Sequence, residues 1–317
     1  MSTATLLRAL ASGPIVLDGG LGTLLEAHGH DLSSGLWSAR LLAERPEVIA
    51  DAHREFVDAG ARIVISASYQ STFEGYAGIG IDATQASALM RISVDLARSA
   101  AADRQAWVAA SVGPYGAMLA DGSEYRGDYG MSVDELRDWH RPRIAALASA
   151  GADLLAAETI PCLAEVQAVA AEFDAAGAPG WISITVHDGR LRSGESMADA
   201  FRIAASFPAV LAIGVNCSAP AEISDALRIA RETTDLPFVA YPNSGEGWDA
   251  TNRTWLGSAA FPDTLVRDWL DGGASVIGGC CRVGPAQIRG MADVVHDQSR
   301  AAPEVPPQAE SPQEAPR

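Results

Sequence analysis

The sequence is short of cysteine, of basic residues and of long apolar runs, and each shortage removes a class of protein. Four cysteines in 317 residues, Cys162, Cys217, Cys280 and Cys281, are too few for a disulfide framework of this size. No apolar run approaches the roughly 18 residues of a membrane span. Basic residues number 23 against 40 acidic, a formal charge of −17. Such a surface repels nucleic acid and anionic membranes, so neither is expected as a partner. The opening MSTATLLRALASGPIVLDGG holds one arginine and is interrupted at Gly13-Pro14, which does not match a secretory leader. No GxGxxG or Walker pattern follows an early strand, which weakens a doubly wound nucleotide-binding sheet. No Ser–His–Asp set stands out. These exclusions point to a reduced, cytoplasmic protein acting on small molecules, where clustered cysteines bind metal more often than they pair. The oligomeric state is left open.

What remains is a regular alternation. Hydrophobic residues make up 48% of the chain, enough for a substantial core. Short, near-continuously apolar runs recur at Pro14–Leu17, Arg62–Ser68, Trp107–Val112, Leu154–Glu158, Trp181–Val186, Leu211–Asn216, Phe238–Tyr241 and Ser275–Gly278. Continuous rather than alternating apolarity is the pattern of strands buried on both faces. Ala-rich segments of helical period lie between them. In Pro46–Ala59, Val48, Ala52, Phe56 and Ala59 share one face. Ser132 and Glu135 form a capping box, and Ser218-Ala-Pro220 reads as a cap with an early helical proline. Gly60, Gly151, Gly177 and Gly273 precede strands as helix-ending glycines. Eight such units in about 285 residues predict an α/β fold, a single-domain (β/α)8 TIM-type barrel over residues 1–298. Residues 299–317 hold five prolines and no aromatic and read as a disordered tail.

Chemistry in such barrels sits at the C-terminal ends of the strands. Reading those ends puts Asp18-Gly19-Gly20 after the first strand, Ser66 to Gln70 after the second, Glu158-Thr159 after the fourth and His187 after the fifth. Cys217 follows the sixth, Asn243-Ser244 the seventh, and Cys280-Cys281 the eighth, behind Gly278-Gly279. Neighbouring strand residues point to opposite faces, so Cys280 and Cys281 can aim at one point only where the strand has ended, and the glycine pair supplies that bend. Three thiolates from strands six and eight could then converge on one ion. Three ligands with a fourth position open is the pattern of a catalytic zinc, and thiolates favour zinc over magnesium or calcium. Cys162, in TIPCLAE, reads instead as a small buried hydrophobe.

A cationic reactant would suit aromatic faces. Trp37, Tyr69, Tyr115, Tyr125, Tyr129, Tyr241 and Trp248 are the aromatic candidates in rim segments, each with ordinary loop packing as its alternative. Ser66, Ser68 and Gln70 share one face at period two, and Asn243 and Ser244 are further polar candidates. His28 and His30 read as solvated loop residues, and His53 and His140 lie on helices.

In order along the chain, DGGLGTLL, SASYQST, ETIP, GVNC and GGCC resemble the homocysteine S-methyltransferase family over nearly the whole sequence outside the tail. SVGPYGAMLADGSEYRGDYG and YPNSGEGWDATNRTW resemble its bacterial and plant branch, which uses S-methylmethionine. The resemblance implies that Cys217, Cys280 and Cys281 hold Zn2+ with the homocysteine sulfur in the open position. It implies that Asp18 and Glu158 receive the substrate ammonium. Backbone amides near Gly19 and Gly20, with a hydroxyl such as Ser66, would receive its carboxylate. The expected activity is methyl transfer from a sulfonium donor, S-methylmethionine or S-adenosylmethionine, to homocysteine, giving methionine. The alternatives are a methyltransferase for selenocysteine or another thiol, a non-catalytic zinc-thiolate or redox-sensing barrel, and last a zinc–water hydrolase.

Overall fold

The computed structural model describes residues 1–32, 37–249, 254–256 and 263–301. Eight parallel strands form one sheet: β1 (Ile15–Val16), β2 (Ile63–Ile65), β3 (Trp107–Val112), β4 (Leu154–Ile160), β5 (Gly180–Ile184), β6 (Val210–Asn216), β7 (Phe238–Tyr241) and β8 (Ala274–Ile277). They pair in chain order, with β8 returning to β1 through Ile15↔Val276 and Val16↔Ile277. The last seam, β1 to β2, is closed by Arg62 N donating to Val16 O at 2.8 Å, Asp18 N donating to Ile63 O at 3.1 Å, and a parallel bridge between Leu17 and Ile63. Closure leaves no edge for another chain to extend. The barrel expected from the sequence is therefore the fold.

Each strand is followed by an outer helix, α1 (Pro46–Asp58), α2 (Ala83–Ala101), α3 (Val133–Ala148), α4 (Leu163–Ala176), α5 (Met197–Ala205), α6 (Glu222–Thr233), α7 (Asp263–Asp271) and α8 (Pro285–Ala301), and shorter helices such as Leu21–Ala27 and Phe73–Gly78 lie in the early connections. The Ser132/Glu135 capping box opens α3, and Gly177, at φ 60°, closes α4. Ser218 does not cap α6, which begins at Glu222. Its hydroxyl instead accepts from Val186 N at 2.9 Å and donates to Asn216 O at 2.8 Å, tying the ends of β5 and β6 together. The α8 helix runs through Ala301, past the expected boundary at 298, and residues 302–317 lie outside the described residues.

The apolar side chains fill two spaces. Between sheet and helices lie Phe56, Val94, Ile144, Val169, Phe201 and Ile288. Inside the barrel lie Ile15, Leu17, Ile63, Trp107, Leu154, Trp181, Val239, Tyr241 and Val276. The lower mouth is plugged by a helix the strand pattern does not reveal, Thr3–Ser12, which carries Leu6 into the barrel core. Thr5 Oγ1 accepts from Trp107 Nε1 at 3.0 Å and holds that plug. The expected fifth run is divided at the rim. Val186–His187 leaves the barrel to pair antiparallel with Arg190–Leu191, which presents Arg192 beside the upper mouth.

Candidate active site at the strand ends

The upper mouth holds a cavity of about 310 Å³. Of the residues expected there, Asp18, Gly19, Gly20, Ser66, Tyr69, Gln70, Glu158, Cys217, Cys280 and Cys281 all line it, joined by Tyr125 and Tyr241. Asn243 does not. It stands behind the cysteines, its Oδ1 accepting from Cys281 N at 3.2 Å. Ser68 turns away to donate to Ser111 O at 2.8 Å. Ser244 is buried, and its N–H donates to Cys281 O at 3.1 Å. Tyr115 packs edge-on against Tyr129 and Trp139 and leaves the site. The side chains of Trp37 and Trp248 lie outside the described residues. His187 is exposed on the rim hairpin near Asp188 and Glu222.

The sulfurs of Cys217, Cys280 and Cys281 lie within 4.8 Å of one another. Local backbone makes this possible. Cys217 takes a left-handed conformation, φ 45°, just past the end of β6. The strand before the adjacent cysteines stops at Ile277. Cys280 N then donates to Pro242 O at 2.8 Å and Gly279 N to Asp18 O at 3.0 Å, so the turn hangs from the ends of β7 and β1. Gly20 must be glycine here, because a Cβ would overlap the Cys280 carbonyl. Its amide is already committed to Val283 O at 2.9 Å, so of the two glycines expected to offer amides only Gly19 keeps its N–H from another backbone carbonyl among the described residues.

Cys217 and Cys280 are paired as a disulfide, with Cα atoms 5.5 Å apart, and Cys281 is free. The sequence reading has all three as thiolates, and metal binding requires that reduced form. Tetrahedral thiolate sites place sulfurs about 3.8 Å apart, from a metal–sulfur bond of about 2.3 Å. The sulfurs, already within 4.8 Å of one another, stand close to that spacing. Burial, then the carboxylates of Glu26, Glu158 and Glu124, push the Cys281 thiol up to about 11. Alone it is a poor anion at neutral pH, and a bound cation would reverse that. The donor set therefore fits a thiophilic metal ion. Cys162 stands apart, buried at the start of α4, its thiol pushed up to about 12 by burial.

Two acids face the same cavity. Asp18, 2% exposed, accepts from Ile65 N at 2.8 Å. Glu158, 8% exposed, accepts from Ser111 Oγ and from Tyr241. Burial raises Glu158 to about 7, and burial with the neighbouring Glu158 charge raises Asp18 well above the usual carboxylate range. Two desolvated acids in one pocket favour a cationic group between them. Ser66 Oγ, bonded to Ser68 Oγ at 2.8 Å and accepting from Ser111 N at 3.2 Å, completes this wall.

Three positioning residues escape sequence reading. Asn216 Oδ1 accepts from Thr159 N at 2.7 Å while its Nδ2 donates to Thr159 Oγ1 at 2.8 Å. This clamp locks the end of β4, which carries Glu158, to the end of β6, which carries Cys217. Arg143, buried on α3, donates to Gly113 O, Ser68 O and Tyr69 O and pins the loops after β2 and β3. Glu124 lines the cavity with Oε2 buried and without a hydrogen-bond partner among the described residues. Only the GVNC motif hinted at the first. Asn216→Ala should cost about 2–3 kcal/mol, by loss of two buried hydrogen bonds, and lower the melting temperature by about 3–5 °C. Metal retention should fall with it. Calorimetric melting and metal analysis would check both, and an unchanged metal content would remove Asn216 from the site's support.

A model of the homocysteine S-methyltransferase family matches residues 15–295. Homocysteine S-methyltransferase of Escherichia coli K12 is 45% identical over 307 residues, covering 92% of this chain and 99% of its own. Selenocysteine Se-methyltransferase of Brassica oleracea var. italica is 40% identical over 304 residues, 88% of each chain. The crystal structure of the homocysteine methyltransferase MmuM from Escherichia coli, metallated form, superposes with a TM-score of 0.82 at 42% identity, covering 90% of this chain and 99% of its own.

Proposed function

The chain belongs to the homocysteine S-methyltransferase family, and from that premise we propose that it moves a methyl group from a sulfonium donor to the sulfur of homocysteine, with Zn2+ held by Cys217, Cys280 and Cys281. The observation that carries this reading is the meeting, in one cavity, of three sulfurs within 4.8 Å of one another and two buried acids. A thiophilic cation and an ammonium cation are what those two groups attract, and homocysteine supplies a thiol and an ammonium on one short chain.

Free thiols titrate near 8.5, so little thiolate exists at neutral pH. Zinc would supply the remedy, binding the substrate sulfur as thiolate while three anionic ligands keep that sulfur electron-rich. Everything else falls to the protein. Asp18 and Glu158 hold the ammonium and so fix the sulfur's approach. Gly19 N–H is the group offered to the carboxylate, and the Ser66 hydroxyl can join it by turning its proton away from Ser68 Oγ. Tyr69 and Tyr241 wall the cavity and exclude water. In the transfer, a bond forms between the homocysteine sulfur and the methyl carbon as the donor's carbon–sulfur bond breaks. The electron pair stays on the donor sulfur, which leaves as a neutral thioether, so no general acid is needed. The thiol proton has already gone to solvent.

The protein is one barrel domain whose last helix ends at Ala301, working on small molecules in the cytoplasm, where its thiols stay reduced. Among the described residues no helix is long and apolar enough to cross a membrane. A panel of S-methylmethionine and S-adenosylmethionine against homocysteine and selenocysteine, read as methylated product, tests the function. Methionine from homocysteine is the expected result, and no methylated product with any pair would sink the reading. The selenocysteine arm tests the second acceptor that the Brassica relative raises.

The raised acids also predict a pH dependence. Glu158 titrates at about 7 in the fold and near 4.3 when unfolded. The folded state therefore binds the proton more tightly. Its contribution to stability is full below about 4.3 and is lost as pH rises through about 7. Homocysteine brings an ammonium that removes this loss. The melting temperature of the ligand-free protein should therefore fall between pH 5 and 8, and the rise produced by homocysteine should grow over that range. Glu158→Gln should flatten the trend. Thermal melts across pH would check it, and a ligand effect that shrinks as pH rises would contradict it.

A further inference from the structure

A second cavity, of about 520 Å³, adjoins the first, and Tyr125 lines both. Tyr125 is 38% exposed. Arg192 lies over that ring, its Cζ 5.2 Å from the centroid. The cationic groups of this cavity are Arg126 and Arg192. Arg126 is engaged, its guanidinium meeting Asp121 and Asp128 at 3.4 Å each. Arg192 is not so engaged, and its Nε is buried without a hydrogen-bond partner among the described residues. The acids near it are committed elsewhere. Glu195 Oε2 accepts from Leu163 N at 2.7 Å and Ser193 Oγ at 2.6 Å, while Glu222 accepts from Asp188 N at 2.8 Å and Gly189 N at 3.1 Å. A desolvated guanidinium with no carboxylate of its own is a recognition element for one brought from outside.

The first cavity shows the opposite polarity. Two buried acceptors there lack partners among the described residues, Glu124 Oε2 and Gln70 Oε1. Both line the cavity that Tyr125 and the three cysteines also line. Unpaired acceptors beside an aromatic ring suit a cation that cannot itself donate hydrogen bonds, since a sulfonium is held by charge and by the ring face rather than by N–H groups.

We infer that the methyl donor lies along Tyr125, its sulfonium in the first cavity against Glu124 and Gln70 and its α-carboxylate in the second cavity on Arg192. This rests on the methyltransferase reading and extends it to the donor. In an extended S-methylmethionine the carboxylate carbon stands about 5–6 Å from the sulfonium, four bonds of about 1.5 Å apart. Tyr125 lines both cavities, so such a molecule has only one side chain to reach across. The chain contains no lysine, so an arginine is the only permanently charged side chain that could take this role. The site selects donors bearing a carboxylate, and Arg192 is its specificity-determining residue.

The test compares S-methylmethionine with its carboxamide, which keeps the sulfonium and loses the carboxylate, using the zinc-loaded enzyme. Wild type should favour the acid about 10–100-fold in kcat/KM, the range expected of a charge-assisted hydrogen bond. Arg192→Gln should raise the KM for S-methylmethionine by that factor and erase the preference, leaving the homocysteine KM, zinc content and melting temperature unchanged. Arg192→Lys should recover part of the preference. Glu124→Gln should weaken both donors alike. Calorimetric titration with S-methylmethionine, without homocysteine, should show the same loss for Arg192→Gln with no turnover involved. If wild type makes methionine but Arg192→Gln keeps its preference for the acid, the inference fails and the activity stands. Equal loss with acid and carboxamide would make Arg192 structural and also overturn it. If wild type makes no methionine from any sulfonium donor, the functional reading itself fails and takes the donor site with it.

Discussion

Replacing Cys281 by serine should strip the protein of zinc and lower kcat/KM by about a thousandfold. Structural zinc sites bind with about 10–16 kcal/mol, so one thiolate of three accounts for roughly 3–5 kcal/mol of that affinity, or ~10³-fold. Cys217→Ser and Cys280→Ser should do the same, because all three sulfurs lie within 4.8 Å of one another. The three variants should differ under oxidation. Cys217 and Cys280 form the disulfide, and Cys281 is free. Cys281→Ser therefore keeps the ability to form that bond, whereas the other two lose it. Thiol titration before and after diamide separates the cases. The fold should survive in every variant, since the barrel cores are built from Ile15, Trp181, Val239 and their neighbours rather than from the rim. Cys162→Ser should leave zinc and activity unchanged, because Cys162 lies at the start of α4 outside the sulfur cluster. Zinc analysis and steady-state rates check the set. Full activity after loss of any rim cysteine would end the zinc assignment.

The second large effect is expected at the acids. Asp18→Asn and Glu158→Gln should each raise the KM for homocysteine about 10–100-fold, the range of a hydrogen bond to a charged group, and should barely move that of the donor. Both substitutions keep shape and remove charge. They should not destabilise the protein. Burial already raises both acids, so a neutral amide relieves a desolvated charge in the ligand-free state. Reduced homocysteine affinity with an equal or higher melting temperature is thus the signature of a group kept for binding. If the donor KM rises instead, the acids face the sulfonium.

Much of this was legible in the sequence, for a physical reason. Strands buried on both faces must be continuously apolar, and runs such as Trp107–Val112 and Phe238–Tyr241 coincide with β3 and β7 as observed. The rim residues followed because each strand end is marked by a change from apolar to polar, as at Leu17-Asp18 and Val215-Asn216-Cys217. What was not legible depends on contacts between segments far apart in the chain. The Asn216–Thr159 clamp spans 57 positions and the Arg143–Ser68 contact 75. Ser218 carries the pattern of a helix cap, yet Val186 N, just past the end of the neighbouring strand β5, donates to its hydroxyl instead. Glu124 sits in a polar stretch with no local sign of burial, and only the closed barrel shows its Oε2 unpaired among the described residues. The plug Thr3–Ser12 was hidden because it packs under the barrel end-on, where no strand periodicity applies.

The central claim is that the three cysteines hold a zinc ion whose remaining position takes the substrate thiol. X-ray absorption at the zinc edge, on reduced protein before and after homocysteine, tests it most directly. Three sulfur neighbours should become four at about 2.3 Å. About one proton should be released near neutral pH, as parallel calorimetry in two buffers would show, since a coordinating thiol is deprotonated. Methionine, a thioether, should release none. A sulfur count that stays at three, with no proton released when homocysteine binds, would contradict the account and leave the metal a structural role.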